Sequence, residues 1–227
     1  MWLIPTRNRP KAMQELIAAM QETGCVPECA VMVDGPAYDI EWPSHWHIHQ
    51  SSEHLEMQLA LNSLFALYPD EPSYGVLTDT SRPQSKDWAS KLEAAAGSSA
   101  ISMCNTTKHR MNPDTGLRRI TTYVLGGKLA RALGWVWFDK CVHLYGDNAI
   151  EDIGYALDIV HYLPEVVILA LLRRDGEVQV DENHNRLWQG KPYPERDRQA
   201  YVAWKRHKFQ PLLQKLREEL CFPLSVS

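Results

Sequence analysis

Four polar clusters follow short apolar runs, and their residue types suit the handling of a phosphorylated ligand. Pro5-Thr6-Arg7-Asn8-Arg9 follows Trp2–Ile4, Asp34-Gly35 follows Glu28–Val33, and Thr78-Asp79-Thr80 follows Tyr74–Leu77. Ligands of open α/β sheets sit at the carboxyl ends of parallel strands. An arginine there can clamp a phosphate with two parallel hydrogen bonds. A carboxylate at Asp34 can accept from a ribose hydroxyl or a base amide. Asp79 suits Mg²⁺ or Mn²⁺, ions that keep several waters and take further ligands from substrate phosphates. The fourth cluster, His143-Leu-Tyr-Gly-Asp147-Asn148 with Glu151 and Asp152, offers Asp147 as a general base for a hydroxyl. Each cluster also has a plainer reading, as a polar turn, an Asp-Gly turn or a helix cap.

Strand and helix signals alternate along the chain, which predicts a sheet covered on both faces. A helix is expected over Arg9–Thr23, with Pro10 at its start, Gly24 past its end, and Met13, Leu16, Ile17 and Met20 at helical spacing. Further helices are expected over 52–67, 86–96 and 149–158, and a short extended piece passes into a helix over 121–134. Short strands are expected at Tyr74–Leu77 and Ala100–Met103, and a buried apolar run at Val166–Leu172. Residues 36–51 read as an aromatic, histidine-rich loop. A long C-terminal helix is expected over Glu195–Glu219, with Pro211 as the point where it would break.

The chain has 227 residues, 44% hydrophobic and 23% charged, enough to bury roughly 70% of its unfolded surface. It reads as one domain: a nucleotide-binding half over 1–103, an acceptor half over 104–185 and a basic extension over 186–227. No apolar stretch approaches the ~20 residues of a membrane span, and Pro5 and Arg7 interrupt any signal-like start. Five scattered cysteines fit reduced cytoplasmic thiols. Cys25-x-x-x-Cys29 has no second pair to make a zinc site, and His45-x-His47-x-His49 has no acidic partner at suitable spacing.

A net charge of −4 indicates no general attraction to nucleic acid. Residues 186–209, however, hold seven basic residues against two acidic ones, interleaved with aromatics. Arg186, Lys191, Arg196 and Arg198 head this stretch. Such a pattern can track a phosphate backbone and stack on bases. It can equally be a solvated helix face with packed aromatics.

Ile4–Pro10, Val31–Gly35, Asn62 with Tyr68-Pro69, Tyr74–Asp79, Thr121–Gly134 and His143–Gly154, in this order, resemble nucleotide-sugar glycosyltransferases of the GT-A fold. They are most similar to small phage-encoded members. The resemblance covers roughly residues 1–167. It implies a three-layer α/β/α sandwich with a mostly parallel sheet. It also implies a nucleoside-diphosphate-sugar donor, UDP-linked, held by Pro5, Thr6, Arg7, Asn8 and Asp34. Asp79 would hold the metal and diphosphate, and Asp147 would serve the acceptor.

This sequence departs from the family pattern at the metal motif. Asp79 is followed by Thr80 and Ser81 where a second aspartate is usual, and His184, beside Asp181, is the nearest histidine able to complete the metal shell. Phage relatives that decorate hydroxymethylated pyrimidines make modified double-stranded DNA one expected acceptor; a glycan, lipid or protein is the other. Two rival functions remain at this point. A nucleotidyltransferase should carry a glycine-rich loop after its first strand, which Pro5–Arg9 lacks, and a non-catalytic sugar-nucleotide-binding module would be compatible with a single Asp79.

Overall fold

A computed structural model describes residues 1–106, 120–171 and 193–222. Among these, eight strands form one sheet in the order β3-β2-β1-β4-β7-β6-β8-β5. They are β1 (Trp2–Thr6), β2 (Cys29–Asp34), β3 (His47–Ser51), β4 (Ser73–Val76), β5 (Ser81–Pro83), β6 (Ile101–Asn105), β7 (Tyr123–Gly126) and β8 (Val160–Ala170). The helices are α1 (Pro10–Glu22), α2 (Met57–Leu67), α3 (Trp88–Ala96), α4 (Gly127–Leu133), α5 (Gly146–Leu157), α6 (Tyr193–His207) and α7 (Phe209–Leu220). Strand β1 is parallel to β2 and β4, β2 to β3, and β6 to β8. Strand β7 runs antiparallel between β4 and β6, and β5 antiparallel to β8. The sheet is therefore mixed.

The strands alternate their side chains between two cores, as a pleated strand must. Trp2 and Ile4 of β1 point to the face covered by α1 and α3, with Met13, Leu16, Trp88 and Leu92. Leu3 points to the opposite face, covered by α2, α4, α5 and the C-terminal helices. The sandwich thus has the three layers the sequence implied. Trp2 anchors the start of β1: its indole packs edge-on against Trp88 at 4.6 Å and donates to Glu93 Oε1 at 2.7 Å. A Cβ on Gly75 of the neighbouring β4 would stand 2.3 Å from the Trp2 ring, so only glycine lets the indole lie there.

The placement of the helices opens a crevice. Helix α1 carries the chain from β1 to β2 on one face, and α2 carries it from β3 back to β4 on the other. Strand order reverses between β1 and β4, and at such a switch point the connections diverge and leave room for a ligand at the carboxyl ends.

Three local readings change. Residues 47–51, expected in a loop, form β3 at the sheet edge, parallel to β2. As an edge strand it is half solvent-exposed and polar, so it lacks the apolar alternation that marks a strand. Strand β5 is three residues long and contains a proline, so it carries no strand signal, yet it pairs with Ile168–Ala170. The C-terminal helix is two helices broken at Lys208, and Pro211 lies in the first turn of α7, where its missing N–H is not needed.

On β3 the rings of His47 and His49 pack against Tyr68 at 5.3 and 5.8 Å, and His49 Nε2 lies 2.8 Å from the Tyr68 hydroxyl. Burial, and then the nearby His47, lower the His49 pKa below 6.5. The unfolded chain therefore binds the proton more readily, and stability falls as pH drops below about 6.5. A His49→Gln variant should show a flatter dependence of Tm on pH between about 7 and 5 than the parent; an unchanged slope would assign the effect to other groups.

The five cysteines are free. Burial raises the thiol pKa of Cys25 and Cys29 and pushes Cys104 and Cys141 up to about 12, so these thiols stay protonated at neutral pH. Among the described residues no helix is long and apolar enough to cross a membrane.

Candidate functional site

A pocket of about 220 Å³ opens at the carboxyl ends of β1, β2 and β4. Pro5, Thr6, Arg7 and Arg9 form one wall and Thr78, Asp79 and Thr80 another. Asp34 closes the end, and Leu55, Met57 and Ala60 around the start of α2 supply the apolar side, with the Glu56 carboxylate among them. His143 reaches in from the second half of the chain.

Asp79 is 4% exposed and held in a tight turn. The Ser81 N–H donates to the Thr78 carbonyl at 3.0 Å, which places Asp79 at the second position of a β-turn. Arg82 donates to the Asp79 carbonyl at 2.8 Å and reaches Glu15 of α1 at 2.6 Å, tying the turn to the helix below. The carboxylate then meets β1. Thr6 Oγ1 donates to Oδ2 at 2.9 Å and Arg9 to Oδ1 at 3.3 Å.

The hydrogen-bond directions around Asp79 follow from counting protons. Thr6 spends its one proton on Asp79, so the Tyr38 hydroxyl, 3.1 Å away, donates to Thr6. Tyr38 in turn accepts the Arg9 backbone N–H at 2.9 Å. Burial raises the Tyr38 pKa, which keeps that hydroxyl protonated. The result is a polarised chain from the start of α1 to the carboxylate.

A second network surrounds Asp34, itself buried at the end of β2. His54 Nδ1 lies 2.8 Å from Asp34 Oδ2, and Arg7 approaches the same oxygen at 3.4 Å. Arg7 also contacts His54 Nε2 at 2.7 Å. His54 Nε2 also lies 3.2 Å from Glu56 Oε1, so the imidazole stands between the carboxylates of Asp34 and Glu56 with Arg7 beside it. Asn8 adopts φ 52° and Gly35 φ 118°. A Cβ on Gly35 would stand 3.1 Å from Asn8 Oδ1, so the turns after β1 and β2 pack directly on one another.

The structure thus brings Pro5, Thr6, Arg7, Asp34 and Asp79 into one pocket, with Asn8 just behind it. Asp147 lies in the first turn of α5, accepts the Asn148 N–H at 3.0 Å, and is not among the pocket-lining residues. His184, Arg186 and Lys191 lie outside the described residues. Arg196 and Arg198 stand on α6. Arg198 forms a two-pronged pair with Glu195 at 2.8 and 2.9 Å, and Arg196 lies 3.9 Å from Asp197. The nearby Trp204 and Phe209 are buried in the core, which makes this stretch a docked amphipathic helix.

Sequence reasoning placed Arg9 and His143 in candidate clusters but gave them no role, and it missed Tyr38, His54 and Glu56 as parts of the site. Arg9 carried the clearest signal: it precedes Pro10, and a residue before proline is kept out of the helix, so it belongs to the loop rather than to α1.

A hard divalent ion needs oxygen ligands and accepts one or two carboxylates if substrate phosphates complete its shell. Asp79, with the Thr78 and Thr80 hydroxyls on the same wall, fits that requirement. Among the described residues no three His, Cys, Asp or Glu side chains converge to hold an ion by themselves.

A scan against protein-family models gives no match, and a search of curated proteins gives none. Solved structures do match. TarS of S. aureus superposes over 100% of this chain and 43% of its own, with TM-score 0.54 and 12% identity. GalNAc-T7, solved with UDP, GalNAc and Mn²⁺, matches over 98% of this chain and 57% of its own, with TM-score 0.56 and 9% identity. Glucosyl-3-phosphoglycerate synthase of Mycobacterium tuberculosis, solved with Mn²⁺, UDP and glucosyl-3-phosphoglycerate, matches over 99% and 80%, with TM-score 0.55 and 11% identity. The chain spans about half the length of the first two. At these identities the likeness is one of architecture, and the architecture is that of the GT-A glycosyltransferases.

Proposed function

We propose that this chain is a glycosyltransferase that takes a sugar from a nucleoside-diphosphate donor, UDP-linked, and passes it to an acceptor hydroxyl. The observation that carries this reading is the convergence of Thr6, Arg9 and Asp79 at the β1/β4 switch point. The fold likeness to proteins solved with UDP and Mn²⁺ supports the donor class.

In this reading Asp34 and Arg7 hold the nucleoside end, with Pro5, Thr6 and Asn8 shaping the loop against it. Arg9 sits where a diphosphate would meet Asp79. Mn²⁺ or Mg²⁺, when bound at Asp79, supplies positive charge for the departing diphosphate. Asp147, at the head of α5, orients or deprotonates the acceptor hydroxyl.

The reading is tested by UDP release from UDP-sugars, including UDP-GalNAc and UDP-glucose, with and without Mn²⁺. Turnover of one of them would establish the transfer class and remove the non-catalytic alternative. Failure with every nucleotide sugar would overturn it. Arg9→Ala should weaken UDP binding about 10- to 100-fold, the scale of a lost charge-assisted contact of about 1.5–3 kcal/mol, as read by calorimetry. Asp147→Asn should lower kcat about 10²-fold with UDP affinity unchanged; equal losses in both would make Asp147 structural.

For the acceptor, a glycan, lipid or protein hydroxyl fits better than modified DNA. Of the aromatics in the basic stretch, Trp204 and Phe209 are buried and so turned away from bases, and Arg198 is paired with Glu195. Duplex binding across a salt series decides the point: tight binding that weakens steeply with salt would restore hydroxymethylated DNA as the acceptor.

A further inference from the structure

Asp197 of α6 has no exposed surface, yet it carries a carboxylate. Its oxygens accept three successive backbone N–H groups from a different part of the chain. Val142 N–H reaches Oδ1 at 2.9 Å, and His143 and Leu144 N–H reach Oδ2 at 2.9 Å each. Three consecutive amides turned toward one anion form an anion-binding concavity, here filled by the protein's own carboxylate. The middle amide belongs to His143, the residue that enters the pocket from this half of the chain.

The same loop is tied a second time, to α2. Asn62 Oδ1 accepts the N–H groups of Val136 and Trp137 at 3.0 and 3.1 Å, and its amide donates to the Trp137 carbonyl at 2.8 Å. The Gln58 N–H reaches the Val142 carbonyl at 3.3 Å. Residues 136–144 are thus held between α2, which forms a pocket wall, and α6, which does not. A buried carboxylate is costly unless fully bonded, and greasy packing alone would seat α6 without it. The charge is spent on fixing the backbone on either side of His143.

We propose that Asp197 is a positioning residue for the transfer reaction, acting through His143, whose backbone it holds so that the imidazole faces the donor pocket. This inference rests on the glycosyltransferase reading. It makes α6 part of the active-site framework rather than a nucleic-acid-binding extension.

The test is a double-mutant cycle of Asp197→Asn and His143→Ala in the full chain, with turnover of the productive UDP-sugar and UDP affinity measured for each. Asn keeps the shape but removes the charge and turns an N–H₂ toward the donors. Asp197→Asn should lower kcat/KM about 10- to 100-fold, as small displacements near a reacting centre do. Its UDP affinity should stay within about twofold of the parent. Added to His143→Ala, it should cost less than about twofold more, and Asp197→Glu should recover part of the loss.

Amide exchange supplies a readout independent of turnover: Val142, His143 and Leu144 should lose protection in Asp197→Asn while the strands keep theirs. Losses that multiply in the double variant, or retained protection at 142–144, would overturn the proposal. A parent protein that turns over no nucleotide sugar would instead overturn the functional reading beneath it, so the two failures are distinguishable. If Asp197→Asn proves unstable, Asp197→Glu in the same cycle carries the test: coupling to His143 supports the proposal and independence refutes it.

Discussion

On the proposed function UDP and Mn²⁺ stabilise the parent protein together, and replacing Asp79 by Asn should abolish that stabilisation. A ligand at 100 times its Kd stabilises by about 2.7 kcal/mol, about 5–11 °C in Tm for a chain of this size. In Asp79→Asn that shift should fall to within about 1 °C, and kcat/KM should drop about 10³-fold or more, the scale of losing about 4 kcal/mol of charge stabilisation at a leaving group. The substitution keeps the side-chain shape, and Thr6 can still donate to the remaining carbonyl oxygen. The amide N–H₂ then takes the place of the oxygen that accepted from Arg9, so the negative charge facing the pocket and the Arg9 ion pair are lost together. Asp79→Ala would cost about 2 kcal/mol of stability as well, because it removes the shared acceptor of Thr6 and Arg9, and would blur the comparison. An undiminished Mn²⁺-dependent shift in Asp79→Asn would show that the donor site is built without this carboxylate.

Gly126→Ala should destabilise the fold by about 3 kcal/mol or more, the upper end for forcing an atom into a packed site, and lower Tm by about 6–12 °C. A Cβ at 126 would stand 2.3 Å from the Ser98 carbonyl carbon and 2.4 Å from the Ser99 nitrogen. Both obstacles are backbone and cannot turn aside. They are also anchored: the Gly126 N–H donates to Ala100 O at 2.9 Å and the Lys128 N–H to Ser98 O at 2.8 Å. Gly24→Ala is the contrasting case. Nothing lies within 4 Å of its would-be Cβ, and only its φ of +71° resists a side chain, which costs about 1–2 kcal/mol. Equal losses at the two positions would mean that backbone conformation, and not close approach, governs Gly126.

These glycines illustrate which parts of the molecule could be read from the sequence. Gly24 follows a complete helical stripe and was legible as a helix stop. Gly126 and Gly127 stand at a strand–helix junction, where their necessity arises from residues 71, 72 and 98, distant in the chain. The strands that carry the site were legible because β1, β2 and β4 are buried on both faces and read as unbroken apolar runs. Their terminal polar residues therefore stood out, and Thr6, Arg7, Asp34 and Asp79 were found that way. Strands β3 and β5 pair at the sheet's rim and take their identity from a neighbour, so no local pattern announces them. His54 was hidden, and His143 was noticed without a role, for a related reason: each sits in a loop whose course is set by remote partners, Asp34 and Arg7 for one and Asp197 for the other. Asp197 itself reads as an ordinary acid in a basic helix. Its burial depends on tertiary docking alone.

The tie between Thr6 and Asp79 spans 73 positions in sequence, and that between Val142 and Asp197 spans 55. Contacts of such separation carry a large loop-closure cost and form late in folding. The pocket therefore has no assembled precursor in any short fragment, because its lining residues run from Pro5 to His143. Nucleotide should act on the folding equilibrium only through the finished state. It should slow unfolding while leaving the refolding rate nearly unchanged, so that the abundance of its ligand helps set how long each molecule survives.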